Sequence, residues 1–559
     1  MIFRLFRHIT LLLLLFTTAE RATAQETADT IRAADKDAEG IVTGSSSPKY
    51  TLYKNLDRHT LESHRYLFSR ALPPDSADLA LRNKRHFWRA LAETTGSNIT
   101  LWAFDRFVEK GHYSYISWKT IKNNFRNGFE WDDDYLPTNM FAHPYNGSIF
   151  YNAGRSNGFN FWQSSLFAFG GSAMWELFME NEPPSTNDII ATPVGGTAIG
   201  EVFYRASDLI IDDRATGKER VGREIAAFIV DPMRGINRIV TGEAWRHRAT
   251  SGQHFGLPPI FAEISFGTRG LANYSRGCHA VRGGFVARLT AEYGNPYEET
   301  TRKPYDYFTL LVELQCVKTQ PPIGRVEIMG RLLSTELYDR EDFNLNLGFY
   351  QHFDFIDSDT ISHDKTKTLL TCPIPYKLAT PASFGAGALF RFSPFPSMCL
   401  DGFIHVNAVL LAGILTDYYR NYHRSYNYGS GFSIKSGLKW TLITDRLSFK
   451  LENRFYRLYT WKGYDQAYDW SDLPYGEPTG LMGDESKASF NHLEMEFKCR
   501  MARHWYLTAG LDLFTRETKY LNYTFTPLST TSDIQPLPVR NPVVDSTQLG
   551  FHLLLTYRF

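Results

Sequence analysis

The chain has 559 residues, and 60 Lys and Arg against 60 Asp and Glu leave no formal net charge. That balance argues against a nucleic-acid partner, which needs a cationic face to displace phosphate counterions. Phe, Tyr and Trp make up 15% of the chain while mean hydropathy stays at -0.31, a pairing that suits a transmembrane β-barrel better than an aliphatic-cored cytosolic enzyme.

Residues 1–24 read as a secretory signal peptide. Arg4 and Arg7 precede an apolar run from Ile9 to Phe16, and Ala22-Thr23-Ala24 offers a small-residue cleavage site. The run is far shorter than the roughly 20 residues a spanning helix needs. Residues 25–48 are small and polar, without a hydrophobic period to offset the entropy of ordering, and are expected to form a disordered linker.

Residues 49–255 are expected to be a helical, motif-bearing region. Apolar positions recur at helical spacing from Phe87 to Val108, Phe159 to Phe178, Ala198 to Ile211 and Ile225 to Val240. The stretch from Phe161 to Met179 approaches spanning length but carries Gln163, Gly170, Gly171 and Glu176, so it is expected inside protein and away from lipid.

From residue 256 to 559 the pattern changes to strict alternation. Leu493, Met495, Phe497 and Cys499 alternate with His492, Glu494, Glu496, Lys498 and Arg500, and the last strand carries Leu549, Phe551, Leu553, Leu555, Tyr557 and a terminal Phe559 at alternate positions. About twelve such segments succeed one another, which predicts an antiparallel transmembrane β-barrel in the outer membrane, with the helices plugging or capping it. The polar inserts 462–488 and 521–545 are expected to be extracellular loops. Barrel assembly machinery, outer-membrane lipid and lipopolysaccharide are the expected partners, together with envelope proteins. Five cysteines, odd in number and widely spaced, suggest neither a disulfide framework nor a zinc site.

The segment 128–205 is the most unusual. It carries Asn139, His143-Pro144-Tyr145, Gly147, Tyr151 and Arg155-Ser156, then Gly171-Ser172, Trp175-Glu176 and Glu180. Pro184-Ser185, Asn187-Asp188, Gly195-Gly196, Gly200-Glu201 and Tyr204-Arg205 complete it. Over roughly residues 115–215 this resembles an uncharacterised family of Gram-negative, largely Bacteroidota, envelope proteins, domain-of-unknown-function family 3943. The resemblance implies an outer-membrane location and supplies no reaction.

Glu176 and Glu180, four residues apart, would present two carboxylates on one helix face, with Glu201 and His143 able to converge on them. Two chemistries fit. In the preferred one, Arg155 and Arg205 neutralise Glu176 and Glu201 in a buried ion-pair network. In the other, His143, Glu176, Glu180 and Glu201 hold a divalent metal or act as an acid and base. Asn139, Tyr151, Ser172 and Asp188 are assigned to the surrounding structural or binding network. Ser172 lacks the Gly-x-Ser-x-Gly turn of a serine nucleophile, and Asp132-Asp133-Asp134 lacks the spaced ligands of a calcium loop and reads as a solvated acidic turn.

Three functions are compatible with these features. The leading one is a barrel with a helical plug or cap acting in envelope transport or assembly. The second is a membrane-embedded enzyme that modifies lipid or lipopolysaccharide with the His/Glu cluster. The third is a scaffold for envelope partners.

Overall fold

The computed structural model describes residues 84–255, 258–275, 279–297, 303–361, 374–418, 424–443, 445–461, 482–521, 524–525 and 539–559. The signal peptide and linker lie outside the described residues, as does most of the two long inserts.

Twelve strands close into an antiparallel barrel. They are β1 (Ile260–Asn273), β2 (Ala280–Tyr293), β3 (Phe308–Val317), β4 (Ile323–Asp339), β5 (Phe343–Asp357), β6 (Lys377–Phe395), β7 (Met398–Leu415), β8 (Tyr426–Leu442), β9 (Leu447–Thr460), β10 (Ser486–Arg500), β11 (Trp505–Tyr520) and β14 (Val543–Arg558). A two-stranded ribbon of β12 (Thr524–Phe525) and β13 (Val539–Arg540) stands in the insert before β14. The seam forms where β14 pairs with β1, in register from Glu263 opposite Arg558 to Asn273 opposite Gln548. Closure leaves no ladder edge exposed. Among the described residues Cys316, Cys399 and Cys499 are free thiols.

Burial along the strands is inverted relative to a soluble protein. On β14 the exposed positions from residue 548 on are Leu549, Phe551, Leu553 and Leu555, and the buried ones include Gln548, His552, Thr556 and Arg558. The same holds for Phe497 against Glu494 and Glu496 on β10, and for Ile404 and Val406 against His405 and Asn407 on β7. An apolar outer belt over a polar interior is what a bilayer demands of a barrel wall.

Strand side chains fill the interior. Arg325 on β4 reaches Glu494 on β10 at 3.1 Å, Arg454 on β9 reaches Glu327 on β4 at 2.9 Å, and Arg288 on β2 pairs with Glu496 on β10. β4 and β10 are six strands apart in the ring, so these ion pairs cross the lumen. A second layer is apolar: Ile356, Leu378, Tyr456, Phe490 and Phe514 cluster with Tyr376 from opposite walls. The barrel is a packed core at both levels.

Among the described residues seven α-helices precede it: α1 (Phe87–Phe104), α2 (Trp118–Asn127), α3 (His143–Ser156), α4 (Phe161–Met174), α5 (Asp188–Ile210), α6 (Gly217–Val230) and α7 (Pro232–Val240). Among the described residues no helix is long and apolar enough to cross a membrane. Ile225 to Val240 is two helices because Pro232 lacks an N–H to continue α6. Pro232 instead opens α7, where the Asp231 side chain accepts from the Arg234 N–H.

The chain divides into two compact units; one division falls at residues 257–258, where the barrel begins, and two parts of the helical region group with the barrel. Among the described residues one unit comprises 84–93, 152–160 and 201–255, and the other comprises 94–151, 161–200 and the barrel. In the barrel unit, α3 and α5 run side by side with their backbones touching. A Cβ on Gly147 would stand 1.9 Å from the Thr192 carbonyl, and one on Gly196 would stand 2.5 Å from the Gly147 carbonyl carbon. Only glycine permits that approach.

The helices of this unit meet the outward face of the wall. Asp354, His352 and Lys435 interlock inside the barrel, so by strand alternation Phe353 and Phe355 on β5 point outward, as do Tyr426 and Tyr428 on β8. Phe141 packs on Phe353 and Phe355 at ring distances of 6.4 and 5.5 Å. The Asn139 amide donates to the hydroxyls of Tyr426 and Tyr428 at 2.9 and 2.8 Å, and the Gln351 amide donates to the Val194 carbonyl at 2.9 Å. A Cβ on Gly413 of β7 would meet Leu136. These contacts correct the first half of the expectation that the helices plug or cap the barrel: the interior is occupied by the strands' own side chains, and the 131–142 segment and α5 lie on the outside of β5, β7 and β8. The stretch Phe161–Met179 is corrected likewise. Phe161, Ser164, Ala168, Gly171 and Ser172 are buried, while Trp162, Leu166 and Phe169 are exposed.

Candidate functional site

The segment Trp131–Ala142 is held on the wall by main-chain bonds. The Tyr428 hydroxyl donates to the Asp132 carbonyl at 2.9 Å, the Tyr426 hydroxyl to the Asp134 carbonyl at 3.2 Å, and the Arg424 guanidinium to the Asp132 carbonyl at 3.0 Å. Asn187, just before α5, binds both ways. Its side-chain oxygen accepts from the Asp132 N–H at 3.0 Å and its amide donates to Asp188 Oδ1 at 2.9 Å. The start of α5, the Asp132 turn and the first turn of α3 are thereby brought to one place.

There, Asp132, His143 and Asp188 offer ligand atoms that all lie within 4.8 Å of one another. His143 Nε2 stands 3.9 Å from Asp188 Oδ2. Glu176 is buried beside them and accepts the Ser185 N–H at 2.6 Å. The helix α4 ends in a π turn, Trp175–Met179, and Glu180 comes next in extended conformation. The two glutamates are therefore not stacked on one regular α-helical face, yet their side chains hydrogen-bond each other. The Asn124 amide fixes this turn by donating to the Glu176 and Glu180 carbonyls at 3.3 and 3.0 Å.

Four carboxylates and one imidazole thus face one another. Among the described residues no Lys or Arg forms an ion pair with Glu176, Glu180 or Asp188. Burial, reinforced by the charge on Asp188, pushes the Glu176 carboxyl up to about 8. Burial with the charge of Glu176 holds Glu180 well above the usual carboxylate range, and burial with the charge of Asp132 does the same to Asp188. Asp134 is pushed up to about 6 by burial and by Asp132. Such a group binds protons, or a hard cation offered oxygen and imidazole donors, more readily than isolated carboxylates do.

Glu201 is elsewhere. It belongs to the other unit, where Arg155 Nε and Arg205 Nε meet its two carboxylate oxygens at 2.7 and 2.8 Å. Arg205 also lies over the Phe255 ring at 3.9 Å. The same unit pairs Arg234 with Asp208, and His254 Nδ1 meets that carboxylate at 3.0 Å. Burial opposes it, but Arg234 and His254 hold the Asp208 carboxyl well below its ordinary value. Each of these two acids has a cation.

The predicted site residues therefore separate. His143, Glu176, Glu180 and Asp188 come together, with Ser172 donating to the Asp188 carbonyl at 3.1 Å. Asn139 is an anchor to the wall, and Tyr151 is fully buried against Phe161. Arg155 and Arg205 both go to Glu201, so the expected Arg partner of Glu176 is corrected, and Glu201 leaves the metal set. Asp132 joins the centre. Its turn is half-buried and docked on Asn187 and Arg424, so it is not the solvated turn expected. The outward Tyr426-x-Tyr428 pair, spaced like any lipid-facing pair, gave no sign of its anchoring role.

The fold and its inverted surface define an outer-membrane type of β-barrel protein. Residues 128–233 match the family described as Domain of unknown function (DUF3943). No curated protein sequence matches. Among solved structures the chain is similar to the NanC porin, at 8% identity over 52% of this chain and 98% of that one, with a TM-score of 0.22. It is similar to a Pseudomonas aeruginosa FadL homologue, at 10% identity over 54% and 91%, TM-score 0.22. It is also similar to the CymD monoaromatic hydrocarbon channel, at 10% identity over 55% and 90%, TM-score 0.20.

Proposed function

We propose that the protein acts in envelope transport or assembly at the outer wall of its barrel and not through an open pore. The observation that carries this is the lumen, where ion pairs between β4 and β10 and an apolar layer around Phe490 and Phe514 leave the wall's outer face as the working surface. The wall is the platform, and the segment it holds is the one that carries the acid and histidine centre.

Two measurements test the reading together. Purified full-length protein in planar bilayers should show no steady ohmic conductance. In a strain lacking the protein, wild type should restore resistance to detergent and Asp188→Asn, at equal abundance, should not. Porin-like conductance from wild type, or full complementation by Asp188→Asn, would sink it.

A second reading rests on the convergence of Asp132, His143 and Asp188. The centre would bind a divalent cation through two carboxylates and an imidazole, and would serve a lipid- or lipopolysaccharide-modifying reaction. Elemental analysis of protein purified without chelator should then find about one divalent ion per chain by the coordination rule, lost in His143→Ala. A metal-free wild type returns the centre to shared protons.

A further inference from the structure

The outward positions of β5 change character along the strand. Leu347 and Phe349 are exposed, and the next three, Gln351, Phe353 and Phe355, are covered by helices. On β8, Ile434 and Phe432 are exposed where Tyr428 and Tyr426 are covered. The helical layer thus begins on the same strands that carry the lipid-facing belt, with Ser430 between Phe432 and Tyr428 on β8 and Gln351 as the first covered position on β5.

The layer's own outer surface carries apolar stripes. On α4, Trp162 (57% exposed), Leu166 (68%) and Phe169 recur at one-turn and two-turn spacing, forming a stripe opposite the buried Ser164, Ala168 and Gly171. On α2, Trp118 (86%) and Phe125 (60%) share a face, and the exposed Lys119, Lys122 and Arg126 share the adjoining one. Two constraints fix α2 in this attitude. Asn124 is buried and donates to the Glu176 and Glu180 carbonyls, and Phe125 packs edge-on to Phe178 at 5.6 Å. Trp and Phe beside a row of Lys and Arg is the composition of a helix lying in a membrane interface, with rings among acyl chains and cations on phosphates. A soluble surface does not carry such a patch without a partner.

We infer that α2 and the exposed stripe of α4 form a ledge that seats membrane lipid. Acyl chains of the leaflet around the barrel lie against Trp118, Phe125, Trp162 and Leu166, and anionic headgroups are held by Lys119, Lys122 and Arg126. The occupant is lipid because α4 is carried on the wall whose outer face meets lipid, Phe161 stacking at 5.5 Å on Tyr305, whose hydroxyl donates to Gln351 of β5, and because the row of Lys and Arg complements a phosphate surface. The inference is independent of the transport or assembly reading.

The test uses full-length protein in nanodiscs containing brominated phosphatidylglycerol, compared with Trp118→Phe/Trp162→Phe. The part of the fluorescence that the double variant lacks should be quenched by the brominated lipid and shielded from aqueous iodide. Lys119→Gln/Lys122→Gln/Arg126→Gln should lower the phosphatidylglycerol enrichment of co-purified lipid while the heat-modifiable barrel band is unchanged. Quenching by iodide and not by bromolipid would overturn the proposal. Shielding from both, with a second copy or another protein cross-linked at the ledge, would overturn it too. If the double variant does not insert, a spin label at Leu166→Cys in a chain free of other cysteines reads the same contact through oxygen accessibility: high access supports lipid, and low access refutes it.

Discussion

Glu176→Gln should make the helical layer more stable at neutral and alkaline pH, whereas the same change would weaken the layer if Glu176 were the partner of an arginine. In the folded chain the carboxyl is raised from its ordinary 4.5 to about 8, by burial first and by the charge of Asp188 second. Unfolding returns it to the ordinary value. Between the two the folded state keeps a proton that the unfolded state has released, so stability is full below about 4.5, falls as pH rises, and levels off above about 8. One such group contributes about 1.4 kcal/mol per pH unit, on the order of 5 kcal/mol over the window if it titrates alone. Glu180 and Asp188 take part in the same titration, so the slope is spread over the group. Glutamine cannot ionise and keeps an acceptor for the Ser185 N–H. Hydrogen exchange of peptides covering 131–151 and 175–200, corrected for intrinsic rates, reads the local opening free energy directly. Wild type should lose protection between pH 5 and pH 8, and Glu176→Gln should lose little. Wild-type protection that grows over that range, or a variant less protected than wild type at pH 8, would refute the reasoning.

Other outcomes are equally specific. Gly196→Val drives a side chain into Gly147 and should cost at least about 1–3 kcal/mol as α3 and α5 separate; exchange in 143–156 should rise while the barrel band keeps its heat-modifiable migration. Lys435→Ala strands Asp354, whose oxygens lie 2.6 and 2.7 Å from that ammonium inside the barrel. The loss should be about 3–5 kcal/mol, seen as a lower temperature for the gel-mobility shift, and adding Asp354→Asn should recover part of it. Asp208, held below its ordinary 3.8 despite burial, contributes stability that is present above that value and lost as pH falls through the depressed one. Acid should therefore loosen the 201–257 segment, and Asp208→Asn should be weaker at neutral pH and flatter in acid.

The barrel could be read residue by residue because a strand has a period of two and the bilayer sorts its faces: Leu493, Met495 and Phe497 against Glu494 and Glu496 leave one solution. The ion pairing of Glu201 with Arg155 and Arg205 could also be anticipated, since Glu201 and Arg205 are one helical turn apart. The location of the helices could not. Phe353, Phe355, Tyr426 and Tyr428 alternate just like lipid-facing residues, and nothing in their spacing distinguishes a position covered by a helix from one covered by an acyl chain. Nor does an apolar stripe say which way it faces, and on α4 the small residues Ser164, Ala168 and Gly171 turn inward while Trp162 and Leu166 turn out. Glu176 lost its expected arginine because both Arg155 and Arg205 converge on Glu201, while Glu176 sits in a π turn whose neighbours are other acids, and neither that turn nor its company is written in a four-residue spacing.

The glycine-lined helices and their tyrosine anchors also set an order of events. The wall that receives Asn139 and Phe141 is made of β5 to β8, which stand across the ring from the seam between β1 and β14. The helical segment is synthesised first, yet its receiving surface exists only after the middle hairpins have formed. Its docking does not obstruct the final zippering of β14 onto β1. Closure should therefore be insensitive to the helices. In a refolding time course the heat-modifiable band should form at the wild-type rate in Asn139→Ala, while protease protection around Asp132–Asp134 arrives afterwards in wild type and fails in the variant.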